Sequence, residues 1–179
     1  MRNIFSILCI CCFTFGVSAQ KLTKEEQKLY DLIMEYRKEK NLPSIPLSKS
    51  LTFVAQTHVK DLHNNTPNNF STCNMHSWSD KGDWTPCCYT RDHKKAACMW
   101  YKPRELTSYQ GHGFEIAHGS TDKKYMVKAE RALQGWKKSK SHNKVVINEG
   151  IWKDPWKAIG IGIYKNYAVV WFGKIPDKK

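Results

Sequence analysis

The stretch AIGIGIYKNYAVVWFG, residues 158–173, decides how the chain is read. Its first half alternates glycine or alanine with isoleucine, and its second half is rich in Val and aromatic residues. Lys165 and Asn166 sit between them as a two-residue turn, so the stretch predicts an antiparallel hairpin. Gly160 and Gly162 point to close packing at the sheet, not to phosphate binding. Upstream, Gly111 and Gly113 lack the third glycine of a dinucleotide fingerprint, because position 116 is Ile116.

Working towards the N-terminus, the spacing of Val127, Ala132, Leu133 and Trp136 predicts a helix from Lys124 to about Lys140. A short connection then leads into a strand at Val145 to Ile147, and Phe114 to Ala117 reads as another strand. Two further helices open the chain. Thr23 and Glu26 form a capping box ahead of Leu29, Leu32, Ile33 and Tyr36. Ser48 caps the second, whose buried face is Leu51, Val54, Ala55, His58 and Leu62, which makes His58 a hydrogen-bonded core histidine. Helices first, then a helix and a hairpin, suggest an α+β fold with helices covering a sheet.

From Asn64 to about Gly113 periodicity fails, and the segment is too long for a plain loop. Four cysteines lie in it: Cys73, Cys87, Cys88 and Cys98. In an exported chain they read as two disulfides. Adjacent Cys87 and Cys88 do not bond each other, which leaves Cys73–Cys87 with Cys88–Cys98, or Cys73–Cys88 with Cys87–Cys98. Zinc held by these cysteines with His76 or His93 is the weaker reading. Trp78, Trp84 and Trp100 are interleaved and either pack over the core or line a sugar-binding surface.

Export is read from the first residues. Arg2, the apolar run Ile4 to Phe15, and the small residues at 17–19 have the order of a signal peptide, cleaved near Ala19. The domain reading is therefore a signal at 1–19 and a single domain at 20–179, a secreted protein, extracellular or periplasmic, with no transmembrane segment. The net charge of +13 is spread along the chain without a basic run or nucleic-acid motif. Nucleic acid is not expected as a partner, and a monomer is.

Five segments resemble, in order, the CAP superfamily of cysteine-rich secretory, antigen 5 and pathogenesis-related proteins, in its bacterial SCP-like branch. They are FVAQTH (53–58), MHSWSD (75–80), GFEIA (113–117), WKKSKSHN (136–143), and IGIG (159–162) followed by VVWFG (169–173). The resemblance implies a three-layer α-β-α sandwich, here with a disulfide-stapled insertion. It also implies a site of His76, Glu115 and His142. In some relatives the histidines hold a metal, so Zn2+ or another divalent cation is expected on His76 and His142, with Glu115 a further ligand; His112, outside the resemblance, is an extra candidate because it lies close to Glu115 in sequence. Lys137, Lys138 and Ser139 stand where larger members carry a second acidic residue, and Lys140 and Ser141 replace a Pro-Gly pair.

Two histidines and a carboxylate suit metal binding or acid–base work on water. No nucleophile elbow and no HExxH motif accompany them. The expectation is a binding module for a lipid or sterol, a glycan or a peptide. The alternatives are a metal-assisted hydrolase using His76, Glu115 and His142, or a basic cell-wall or polyanion binder. His118, three residues from Glu115, would face the other side of the strand and lie at the surface.

Overall fold

Ile, Val and aromatic residues on both sides of Lys165 and Asn166 produce the expected hairpin: β2 (Ala158–Tyr164) pairs antiparallel with β3 (Tyr167–Gly173). Lys165 takes a positive φ of 52° to close the turn. The structure, a computed structural model, describes residues 21–68 and 72–178; the signal-peptide reading of 1–19 lies outside them. The remaining elements are α1 (Lys24–Glu39), α2 (Lys49–Asn65), α3 (Ala97–Trp100), α4 (Lys102–Leu106), β1 (Gly113–Gly119), α5 (Ala129–Lys138) and α6 (Lys140–Val146). A single 3-10 turn, Gly150–Trp152, follows α6.

The sheet runs in the order β1-β3-β2, with β1 antiparallel to β3. Side chains alternate along β3. Ala168, Val170 and Phe172 join one core with α1, α5 and α6, and Tyr167, Val169 and Trp171 join the other beneath α2. That is the three-layer sandwich, with the central strand buried on both faces. Each fully buried apolar side chain in those layers contributes roughly 1.5–3 kcal/mol.

Gly160 and Gly162 have a specific reason to be glycine. A Cβ at Gly160 would lie 2.1 Å from the Leu51 carbonyl carbon, and one at Gly162 2.4 Å from the Ala55 carbonyl oxygen. The backbone of α2 therefore rests directly on β2. Two buried polar residues of α1 brace the opposite layer. Glu26 caps its own helix at Thr23 and also accepts from Ile163 N at 3.0 Å and Gln56 Nε2 at 3.1 Å. Arg37 donates to the carbonyls of Pro43 and Val146 and to Asn148 Oδ1, so it holds the C-terminal end of α6.

Three sequence expectations change. The helix expected from Lys124 begins only at Ala129 and breaks at Ser139, whose backbone is extended (φ −86°, ψ 111°). The strand expected at Val145 to Ile147 is instead the end of α6. Its β-branched residues are buried against the α1/α5 core, where packing outweighs their strand preference. His118 is not a surface residue. It does face away from Glu115, but both faces of the sheet are covered: its ring meets Trp136 and its Nε2 lies 3.0 Å from the Tyr125 hydroxyl.

Candidate functional site: a cleft along the free edge of β1

The insertion between α2 and β1 is tied down by Cys73–Cys88 and Cys87–Cys98, the second of the two pairings left open by the sequence. With all four sulfurs in disulfides, the cysteine zinc reading is overturned. Helix α2 aims the loop that carries His76. Buried Asp61 accepts from Ser79 N at 2.8 Å and from Ser79 Oγ at 2.5 Å. His58 Nε2 meets the Ser77 carbonyl at 2.9 Å, and His76 N donates to Asn74 Oδ1. Trp78 lies stacked on His58, ring centroids 4.3 Å apart and planes 5° from parallel. Of the three interleaved tryptophans, Trp78 packs in the core, Trp84 packs edge-on against it, and Trp100 reaches the cleft.

Glu115, in the middle of β1, is the hub. Its Oε1 lies 2.7 Å from His76 Nδ1 and its Oε2 2.5 Å from His58 Nδ1. Burial pushes the Glu115 carboxyl up. The charge and hydrogen bond of His58, with those of His76, outweigh that and hold it below its ordinary value. His58 faces an acceptor at each ring nitrogen, the carboxylate and the Ser77 carbonyl, so the ring fits its place as a doubly protonated imidazolium paired with Glu115. Its flat stacking on Trp78 suits a cation over an aromatic face.

A cleft of about 450 Å3 opens beside this hub, along the edge of β1. One wall comes from the insertion: His76, Tyr89, His93, Met99 and Trp100. The other comes from α6 and the turn after it: Ser141, His142, Val145, Ile151 and Trp152. Phe114, Glu115 and Ile116 form the floor. His76, Glu115 and His142 thus share one cleft, with His76 bonded to Glu115 and His142 on the facing wall. His142 makes no side-chain hydrogen bond among the described residues, and burial lowers its pKa, with His76 and His118 adding to the effect. His112 is elsewhere, packed against Trp100 and Tyr101.

The residue that the sequence placed in the core without a role in the site is His58. It occupies the oxygen of Glu115 that a metal ion would need. The signal was present, since α2 and Glu115 belong to the same side of the sheet, but only the packing of α2 on the strands reveals it.

The chain matches the family described as CAP, Cysteine-rich secretory protein family, over residues 30–172. It belongs to that family. Three solved structures share the fold. An extracellular SCP-domain protein of Bacillus anthracis is 22% identical with a TM-score of 0.57, over 87% of this chain and 45% of that one. An outer surface protein of Borrelia burgdorferi is 21% identical with a TM-score of 0.56, over 88% and 98%. A cysteine-rich secretory protein of Staphylococcus aureus is 14% identical with a TM-score of 0.53, over 84% and 38%. This chain therefore spans less than half of the Bacillus and Staphylococcus proteins. No curated protein matches it. Two of the three related structures come from proteins described as extracellular or outer surface. The disulfides of this CAP domain fit an oxidising compartment, and among the described residues no helix is long and apolar enough to cross a membrane.

Proposed function

We propose that this CAP domain is an exported binding module that takes an amphipathic ligand in the cleft along β1. The observation that carries the reading is the state of Glu115. Both of its oxygens are engaged by histidines and its charge is matched by His58. A carboxylate so committed is poorly placed as a general base towards water, whereas the aromatic and aliphatic walls offer an apolar surface with a few polar groups, as ligand sites do.

A divalent ion suits this arrangement only in part. His76 is oriented through Nδ1 by a carboxylate, as metal-ligating histidines are, which leaves Nε2 to face the cleft. His142 would be the second ligand. Among the described residues, however, no group of three or more His, Cys, Asp or Glu side chains converges to hold a metal. Glu115 does not fit as a third ligand, because His58 and His76 already take both oxygens. An ion there would supply a Lewis-acidic centre resting on two imidazoles, the remainder of its shell coming from solvent or ligand.

The test uses the anionic dye 8-anilinonaphthalene-1-sulfonate on the mature protein with chelator present. Saturable binding is expected, weakened about tenfold in Trp100→Ala, which removes one aromatic wall. Absence of binding, or binding indifferent to Trp100→Ala and Trp152→Ala, overturns the reading. Zinc-dependent turnover of a peptide or ester that disappears in Glu115→Gln would establish the hydrolase instead.

A further inference from the structure

The two-residue turn makes Tyr164 and Tyr167 a hydrogen-bonded pair, so Val169 and Trp171 also bond to β2. Ile159 fits this alternation, since its N–H and C=O turn away from β3 to Pro46 and Ser48. On β3, Ala168, Val170 and Phe172 then bond to β1, where their partners are His118, Ile116 and Phe114. The N–H and C=O groups of Gly113, Glu115 and Ala117 consequently point away from the sheet. Ala117 supports this independently, because its carbonyl accepts from Trp136 Nε1 at 3.1 Å. Glu115 has no such partner among the described residues. Its side chain is 0% exposed while the residue as a whole is 8% exposed. Solvent in the cleft therefore reaches the Glu115 main chain.

From this we infer that the cleft binds an extended peptide, which adds to the sheet as a fourth strand on the free edge of β1. The inference rests on the cleft being a binding site and names its ligand class. An edge left unpaired at Glu115, between two walls, is the arrangement that strand addition uses: main-chain bonds give affinity and alternate side chains give specificity. A peptide residue opposite Glu115 exchanges N–H···O bonds with it and turns its side chain towards His76, Tyr89 and His93. Its two neighbours face Phe114, Ile116, Val145 and Trp152. The central position suits an acidic residue. His76 and His93 stand on the wall that it faces, the carboxylate on the lining is already engaged, and the whole chain carries +13. The preferred sequence is apolar–acidic–apolar.

The experiment uses the full mature protein and a pool of acetylated, amidated pentapeptides with Asp or Glu at the centre and every apolar pair beside it. Titration calorimetry of the tightest member is repeated with N-methyl groups placed one at a time. Methylation of the central residue removes the N–H that reaches Glu115 and should weaken binding about tenfold, whereas methylation of its neighbour, whose N–H points away, should leave affinity within about threefold. Hydrogen exchange of the Glu115 amide should slow on binding, while that of Ile116, already bonded to Val170, should not change. Equal sensitivity to both N-methyl positions, or an unchanged Glu115 amide, overturns strand addition. If the dye binds and no pentapeptide does, the cleft remains a ligand site and the peptide inference alone fails. If neither binds, both fail.

Discussion

Glu115 is held by two imidazoles inside a closed layer, and its replacement separates structural from exposed roles in the site. Glu115→Gln keeps the shape but leaves His58 without its counter-charge and turns an amide N–H2 towards one ring. Removing one partner of a buried charged pair leaves the other uncompensated, and a loss of about 3 kcal/mol is expected in urea unfolding. His142→Ala, on the open wall with no hydrogen bond to lose, should cost about 1 kcal/mol or less. Comparable losses in the two variants would mean that the Glu115 ion pair does not form as described. At this scale the sequence conveyed the residue types but not their partners. Glu115, His76 and His142 were read from motifs shared with a family. His58 looked like any histidine on an apolar helix face, because its bond to Glu115 depends on how α2 lies across the strands, 57 positions away in sequence.

Elements on the α2 side of the sheet are held by close backbone approach of α2 to β2 and by the crosslinks of the insertion beside it, and each can be tested. Gly160→Ala places a methyl against the Leu51 carbonyl, which belongs to the helix backbone and cannot swing aside. The helix must lift from β2, so a loss of about 3 kcal/mol or more is expected, read as a drop in melting temperature. A neutral result would show that α2 slides freely on the sheet. The Cys73–Cys88 bridge closes a loop with a sequence separation of 15. Its removal in the Cys73→Ser, Cys88→Ser variant should cost about 3 kcal/mol. Faster hydrogen exchange should appear in the insertion wall around His76 and Tyr89, with β3 amides still protected; loss of protection throughout the sheet would show instead that the insertion supports the whole fold. The hairpin, α1 and α2 were legible because their apolar periods are local. Val145 and Val146 misled because strand-forming residues sit in a helix whose burial and Arg37 contact come from distant chain. The insertion gave no period at all, since disulfides and loop-to-helix hydrogen bonds order it.

The end of the chain closes the molecule across the start of α2, and this closure should depend on pH. Asp177 accepts from Ser48 Oγ at 2.7 Å, Ser50 N at 2.9 Å and Ser50 Oγ at 2.9 Å, so the tail adds an acidic cap to the helix N-terminus. Two residues earlier, the Ile175 carbonyl accepts from the Tyr109 hydroxyl at 2.7 Å. Tyr109 is buried over Gly173, where a Cβ would lie 1.9 Å from its oxygen. Burial pushes the Tyr109 phenol up to about 12 from its ordinary value of 10.0, and the charge of Asp177 adds to the effect. The folded state thus keeps a proton that the unfolded chain releases above about pH 10, and stability falls wherever the folded state binds more protons. The contribution is intact below pH 10 and lost progressively as pH rises towards 12, amounting to roughly 2 kcal/mol at most. Tyr109→Phe has no proton to lose. Its stability should be lower than that of wild type at pH 8, where the bond to Ile175 is missing, and the gap should narrow as pH rises through 10 to 12. Urea unfolding of both proteins across that range provides the check. A gap that stays constant would show that the Tyr109 proton does not hold the tail in place.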